Sequence, residues 1–249
     1  MSKNYKVYDE EVSIVIAVIN EAEHISSLFN DISSICDKTG LRLLEIIFVD
    51  DGSSDGTIQK IKESISSSKP FNIELITRNV RYGLANAQLV GAKSAKGDLL
   101  IFMDGDCQHP VTLLPTIVNS LKKGKDLIIA SRYIKGGESV WNPVRGFISR
   151  VASLLTRMLL FKYRGIKDPA SGYFGIRKKY VSNLDTIKNK IKLLPYIMVS
   201  NDLTIEEIPF KFNDRLNGHS KLVDSKSKFI LNYLTELVYY MRIMLNGQI

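Results

Sequence analysis

Leu99-Leu100-Ile101-Phe102-Met103-Asp104-Gly105-Asp106-Cys107-Gln108-His109-Pro110 is the stretch on which the reading of this chain turns. Five apolar residues in succession suit a strand covered on both faces, the habit of parallel sheets. Two carboxylates follow at once, one residue apart. A carboxylate buried without a partner is strongly unfavourable, so an acidic pair at the end of a core strand reads in one of two ways. The first is a polar turn leaving the sheet. The second is a divalent-metal site, in which Gly105 lets the backbone bend so that Asp104 and Asp106 face one ion. Mg2+ takes one or two carboxylates together with substrate phosphates, and Gln108 adds an amide carbonyl.

Working outward, the 249 residues suffice for one large α/β domain or two small ones, with an apolar fraction that supports a sizeable core. Two cysteines, Cys36 and Cys107, make no disulfide framework, and no signal-peptide pattern is present. Both features suit a reducing, cytoplasmic compartment. No apolar run approaches the ~18 residues needed to span a bilayer, so the chain as given is expected not to cross a membrane. The net charge of +8 is uneven, at −3 over residues 1–124 and +11 over residues 125–249. A basic second half implies an anionic partner (phosphate groups, an acidic membrane surface or nucleic acid) or a solvated basic face. Nucleic acid lacks support, because no aromatic residues interleave with the basic ones and no binding motif appears.

The first third alternates. Ser13–Ile19 reads as a strand. Asn20 is placed to cap the helix that follows, Glu21 and Glu23 suit its positive end, and Ile25, Leu28, Phe29, Ile32 and Ile35 recur at helical spacing. Leu43–Val49 is a second strand, Ile58, Ile61 and Ile65 mark a helix, and Ile73–Thr77 is a third strand. Gly83–Lys96 reads as a helix with small residues on one side, stopped by Gly97. Alternating strands and helices predict a mostly parallel central sheet with helices on both faces. In such sheets ligands bind beyond the carboxyl ends of the strands. Asn20-Glu21, Asp50-Asp51, Arg78-Asn79 and Asp104/Asp106 all follow strands and are expected to converge on one rim.

These segments, taken together, carry a resemblance. Asn20-Glu21, Val49-Asp50-Asp51-Gly52-Ser53-Ser54-Asp55-Gly56-Thr57, Arg78…Gly83-Leu84-Ala85-Asn86-Ala87 and Asp104-Gly105-Asp106-Cys107-Gln108-His109-Pro110 resemble the family 2 inverting glycosyltransferases of GT-A fold. Ser131-Arg132-Tyr133, Gly136-Gly137, Trp141…Arg145, Asp168-Pro169-Ala170-Ser171-Gly172-Tyr173 and Glu207-Ile208-Pro209…Arg215…Gly218-His219-Ser220-Lys221-Leu222 narrow the likeness to the polyprenyl-phosphate (dolichyl-phosphate) mannose or glucose synthases. The match runs in order from about residue 12 to residue 222. It implies an α/β fold of GT-A type with one catalytic domain over residues 1–222 and a C-terminal apolar helix over 223–249.

The resemblance implies an inverting hexose transfer from a nucleotide sugar, GDP-mannose before UDP-glucose, to a polyprenyl (dolichyl) phosphate. Val18, Asn20, Glu21, Asp50, Asp51 and Arg78 then bind the nucleotide sugar, and Asp104, Asp106 and Gln108 hold Mg2+ or Mn2+ on its diphosphate. Metal charge stabilises the departing diphosphate. Asp106, Arg132 and Arg145 form the catalytic set. Arg132 and Arg145 face the acceptor phosphate, and Arg215, Ser220 and Lys221 close over the donor. Asp50-Asp51-Gly52 also reads simply as a tight turn, and Asp55 as a helix cap. A phosphate acceptor is already anionic and needs cations rather than a base, whereas a hydroxyl acceptor, the alternative within family 2, needs a carboxylate base. Two departures stand out. Ile19 occupies a position usually held by Tyr, and the family's Gly-Phe/Tyr-Lys…Leu-Glu stretch, which supplies an acid, is not recognisable between Tyr180 and Val199.

Residues 145–163 join a broad apolar surface to Arg150, Arg157 and Arg164, spaced by seven. The pattern suits either a basic amphipathic helix lying in a membrane interface or a core helix with a solvated basic stripe. The run Phe229–Leu245 is similarly apolar, with Glu236 and Arg242 as its only charges. It reads as a second interfacial helix, a dimer element or core. The chain is thus expected at the cytoplasmic face of a membrane, held peripherally.

Overall fold

The computed structural model describes residues 10–66, 70–138, 143–190, 192–212 and 226–245. Four strands open the chain: β1 (Val12–Val18), β2 (Glu45–Asp50), β3 (Asn72–Thr77) and β4 (Leu99–Asp104). Between them run α1 (Ala22–Thr39), α2 (Thr57–Ile65) and α3 (Leu84–Ser94). The second part adds α4 (Leu114–Lys122), β5 (Leu127–Ser131), α5 (Pro143–Leu159), β6 (Phe174–Arg177), α6 (Leu193–Val199), β7 (Ile205–Pro209) and α7 (Lys226–Leu245). The seven strands make one sheet in the order β3-β2-β1-β4-β6-β5-β7. Every pairing is parallel except those of β6, which runs antiparallel to β4 and β5. The expected α/β architecture, mostly parallel with helices on both faces, is the one observed.

The continuous apolar runs follow from this sandwiching. Ile14, Ile16, Ile46, Phe48, Ile101 and Met103 point to one face and pack with α1, α2 and α4. Val15, Ile47, Val49, Leu100 and Phe102 point to the other and pack with α3, α6 and α7. Phe102 stacks on Phe174 of the antiparallel strand, ring centroids 4.7 Å apart. The small residues of α3 serve close approach. A Cβ on Gly91 would lie 2.5 Å from Val15 Cγ1 and 3.0 Å from Val49 Cγ2.

Strand register aligns the site. Val18 lies opposite Asp50, Asp50 opposite Thr77, and Ala17 opposite Asp104. The four polar segments therefore leave the sheet at one level, on the carboxyl rim. Asn20 does not cap α1 as its sequence position suggests. It sits at φ +52° and its side-chain Oδ1 accepts the Ser54 N–H at 2.7 Å, so it ties two loops together instead.

Because Gly91 leaves no room for a side chain, Gly91→Val should lower the unfolding free energy by about 1–3 kcal/mol through overpacking. Urea denaturation measures this, and an unshifted midpoint would contradict the packing described.

Candidate active site

The rim is built from two stapled loops. Asp50 is fully buried. Its Oδ1 accepts the N–H groups of Gly52 and Ser53, each at 3.0 Å, and its Oδ2 accepts the Ser53 hydroxyl. Ser53 Oγ in turn accepts the Asn20 N–H at 2.8 Å. Asp55 accepts the N–H groups of Thr57 and of Ala22 across the loops, and Thr57 Oγ1 accepts the Glu21 N–H at 2.8 Å. Asp50 and Asn20 thus hold the loops in place, and Asp51 is left at their edge. Asp51 pairs with Arg78, whose Nε donates to Asp51 Oδ1 at 2.5 Å and whose NH1 donates to Asn86. The structure gathers Val18, Asn20, Glu21, Asp50, Asp51 and Arg78 on one side of the rim.

At its centre lies the Asp104–Asp106 turn. Gly105 is required for close packing, since a Cβ there would fall 2.7 Å from Val18 Cγ1. Its value is not a left-handed backbone, which here falls at Cys107 with φ +58°. Asp106 is nearly buried, and its Oδ1 accepts the Gln108 N–H at 3.2 Å. Asp104 keeps a side chain 34% exposed. Burial, and then the charge of Asp106, push the Asp104 carboxyl above the ordinary carboxylate range, against the pull of His109, Lys192 and Arg132. His109 shapes the turn. Its Nδ1 accepts the Asp104 N–H at 3.0 Å, and its ring stacks on Tyr173 with centroids 4.9 Å apart. Burial pulls its pKa below the usual histidine value despite the two aspartates, and its Nδ1, being an acceptor, carries no proton.

The donor set of the turn suits a divalent cation. Two carboxylates and an amide oxygen within one turn are hard oxygen ligands of the kind Mg2+ and Mn2+ accept. The mutual repulsion of Asp104 and Asp106 is relieved by a cation between them. Among the described residues no cluster of three His, Cys, Asp or Glu side chains is placed to hold a metal ion. The turn therefore fits an ion completed by substrate oxygens and water rather than a protein cage.

Opposite the turn stands Arg132. It is buried, and its guanidinium grips Asp168 in a fork: Nε to Oδ2 and NH2 to Oδ1, both 2.7 Å, with the Arg132 N–H adding 3.1 Å to Oδ2. Burial alone would lower the arginine pKa. The Asp168 charge and hydrogen bonds outweigh it and raise the value above the ordinary. Asp168 is itself oriented by Glu207, which accepts the N–H groups of Lys167 at 2.8 Å and Asp168 at 2.9 Å. Two segments quoted above without a role, around Asp168 and Glu207, are thus the support of Arg132. Arg145 lies in the first turn of α5, but its side chain falls outside the described part, as do Trp141, Arg215, Ser220 and Lys221.

Three further residues come from parts of the sequence that offered little. Lys192 precedes α6 and lies among Arg132, Asp104, Asp168 and Glu236. Glu236 and Tyr240 of α7 are buried beside it. The one available signal was Glu236, a lone acid in an apolar run.

A central parallel sheet that delivers an acidic pair and two stapled loops to one rim is the GT-A fold of nucleotide-sugar transferases. The chain belongs to glycosyl transferase family 2, whose family model matches residues 13–185. It is 38% identical over 234 residues to a dolichol-phosphate mannosyltransferase of Pyrococcus furiosus, spanning 93% of this chain and 64% of that protein. It is 31% identical to a dolichol-phosphate mannosyltransferase of Saccharomyces cerevisiae over 91% of this chain and 85% of that protein. Among solved structures, the glucosyl-3-phosphoglycerate synthase of Mycobacterium tuberculosis with Mn2+, UDP-glucose and phosphoglyceric acid superposes at TM-score 0.67, with 19% identity over 92% of this chain and 80% of that one. The mannosyl-3-phosphoglycerate synthase of Rubrobacter xylanophilus does so at TM-score 0.67, with 17% identity over 96% of this chain and 76% of that one. At these identities the likeness establishes the fold.

Removing Asp168 leaves a buried guanidinium unpaired, so Asp168→Asn should destabilise the protein by about 3–5 kcal/mol. A loss below about 1 kcal/mol in urea titration would show that the fork does not hold this part of the structure.

Proposed function

We propose that the chain transfers a hexose, with inversion, from a nucleotide sugar to a polyprenyl (dolichyl) phosphate at a membrane surface, with Mg2+ or Mn2+ as cofactor. GDP-mannose is the favoured donor and UDP-glucose the second. The observation that carries this reading is the state of three described carboxylates around the acidic turn. Asp168 is occupied by Arg132, Glu207 by the main chain of residues 167–168, and Glu236 by Lys192 and Tyr240. A hydroxyl acceptor needs a general base within hydrogen-bond reach. A phosphate monoester carries its own nucleophilic oxyanion and needs cations such as Arg132. The names of the Pyrococcus and yeast relatives point the same way.

In this reading Asp51, with Val18, Asn20, Glu21 and Arg78, borders the nucleoside, while Asp50 keeps that loop in shape. Asp104, Asp106 and Gln108 would hold the cation, whose charge offsets that of the leaving diphosphate. Arg132 and Arg145 face the acceptor phosphate, Arg132 fixed in orientation by Asp168, and Arg215, Ser220 and Lys221 close over the donor. Residues 1–222 carry the transfer chemistry, and α7 completes the site from behind.

The membrane part of the proposal rests on α5 and α7, which pack side by side. On α5 the small polar residues Ser153 and Thr156 are buried, while Val151, Leu154 and Met158 are exposed, Met158 to 62%. On α7, Leu234, Val238, Met241 and Leu245 form an exposed stripe at helical spacing, with Leu245 at 79%. Adjacent apolar stripes turned outward suit a lipid interface. Arg150 and Arg242 are exposed on the same helices and suit anionic headgroups. No helix among the described residues is long and apolar enough to cross a bilayer.

Asp104→Asn and Asp106→Asn should each reduce hexose transfer to a short polyprenyl phosphate by about 100-fold or more while the melting temperature stays within a few degrees. Near-wild-type turnover in either variant would refute the metal assignment. Vesicles containing phosphatidylserine should bind the protein about tenfold more tightly than phosphatidylcholine vesicles, and Leu154→Glu with Met158→Glu should remove binding to both. Equal recruitment by the two vesicle types, or undiminished binding of the double variant, would refute the interfacial placement of these helices.

A further inference from the structure

The segment that departs from the family pattern is tied into the structure by several contacts. Lys190 O accepts the Ala85 N–H at 3.1 Å, and Asn189 N–H donates to Tyr82 O at 2.7 Å. Asn86 Nδ2 donates to Ile187 O at 2.5 Å. This fixes the chain over the start of α3. At Lys192 it is held from the other side by α7. The Lys192 N–H donates to Glu236 Oε1 at 2.8 Å. Tyr240 Oη lies 2.6 Å from both Lys192 O and Glu236 Oε1, its one proton shared between them. Glu236 is 1% exposed and Tyr240 fully buried. A carboxylate is costly to bury, and here it fixes the main chain of a single residue.

That residue carries a cation within electrostatic reach of Asp104. Its ammonium, only partly exposed, lies in the field of Arg132, Asp104, Asp168 and Glu236. Burial, and then Arg132, pull its pKa below the ordinary lysine value, with the three carboxylates opposing. Among the described residues none of those carboxylates comes within ion-pair distance of it, whereas Arg132 is committed to Asp168. A partly desolvated ammonium facing a like charge, without a contact ion pair, is stabilised by an anion placed between the two cations. Lysine suits a phosphoryl oxygen as a point charge.

We propose that Lys192 is a phosphate-binding residue of this site, ligating a phosphoryl oxyanion beside the Asp104–Asp106 turn, with Glu236 and Tyr240 as its positioning residues. The proposal rests on the transferase reading. The oxyanion belongs either to the donor diphosphate or to the acceptor phosphate, and the two are separated by experiment. Wild type, Lys192→Met, Lys192→Arg and Glu236→Gln are compared in two arms: the Kd for GDP with Mn2+ by calorimetry, and the KM for a short polyprenyl phosphate at saturating GDP-mannose. Lys192→Met should weaken at least one arm about 10- to 100-fold, with Lys192→Arg restoring most of it and Glu236→Gln moving the same arm by less. Loss in the nucleotide arm assigns the donor diphosphate, and loss in the acceptor arm assigns the acceptor phosphate. Lys192→Gln replaces Lys192→Met should the latter lose its cooperative melt. Wild-type values in both arms, or a loss that arginine does not rescue, would overturn the assignment of Lys192. A wild-type protein that neither binds GDP nor transfers sugar would instead overturn the transferase reading.

Discussion

Two carboxylates one residue apart, at the partly desolvated end of a buried strand, repel each other, and the surroundings of β4 are organised by that repulsion. Desolvation and the neighbouring charge act on Asp104 in the same direction. The arrangement opposes them with groups from distant parts of the chain: Arg132 from the end of β5, and Lys192 from the start of α6. His109, from the same turn, adds to this pull and also accepts the Asp104 N–H through its Nδ1. Such a turn is poised to accept a cation and the phosphate oxygens that accompany it.

The cations are placed by a second set of carboxylates. Glu207 orders the main chain before Asp168, Asp168 orients Arg132, and Glu236 fixes Lys192. This accounts for an acid-rich neighbourhood that is nevertheless suited to an anionic acceptor. It also ties chemistry to location. α7 carries Glu236 and Tyr240 on its buried side and Leu234, Val238 and Met241 on its exposed side, so one helix spans from the site to an exposed apolar stripe.

The parallel half of the fold was legible because each of its strands is a short apolar run closed by polar residues, and the register then follows from the alternation with helices. Val18, Asp50 and Asp104 were found for that reason. Their division of labour was not legible. That Asp50 is consumed by its own loop, and that Asn20 staples rather than caps, depends on contacts between loops more than thirty positions apart. β6 is a four-residue strand running against its neighbours, too short to announce itself. The stretch 145–163 was readable as amphipathic, yet only the structure shows that Ser153 and Thr156 are buried while Val151, Leu154 and Met158 are exposed. Lys192 and Glu236 meet across 44 positions, and no local pattern marks either as part of a site.

The central claim is that the acceptor brings its own oxyanion. The most direct measurement offers the protein, with GDP-mannose and Mg2+, two acceptors of one chain length, a polyprenyl phosphate and the corresponding polyprenol. The account predicts a hexosyl phosphate lipid from the first and no product from the second. Glycosylation of the alcohol, with the phosphate left untouched, would contradict it.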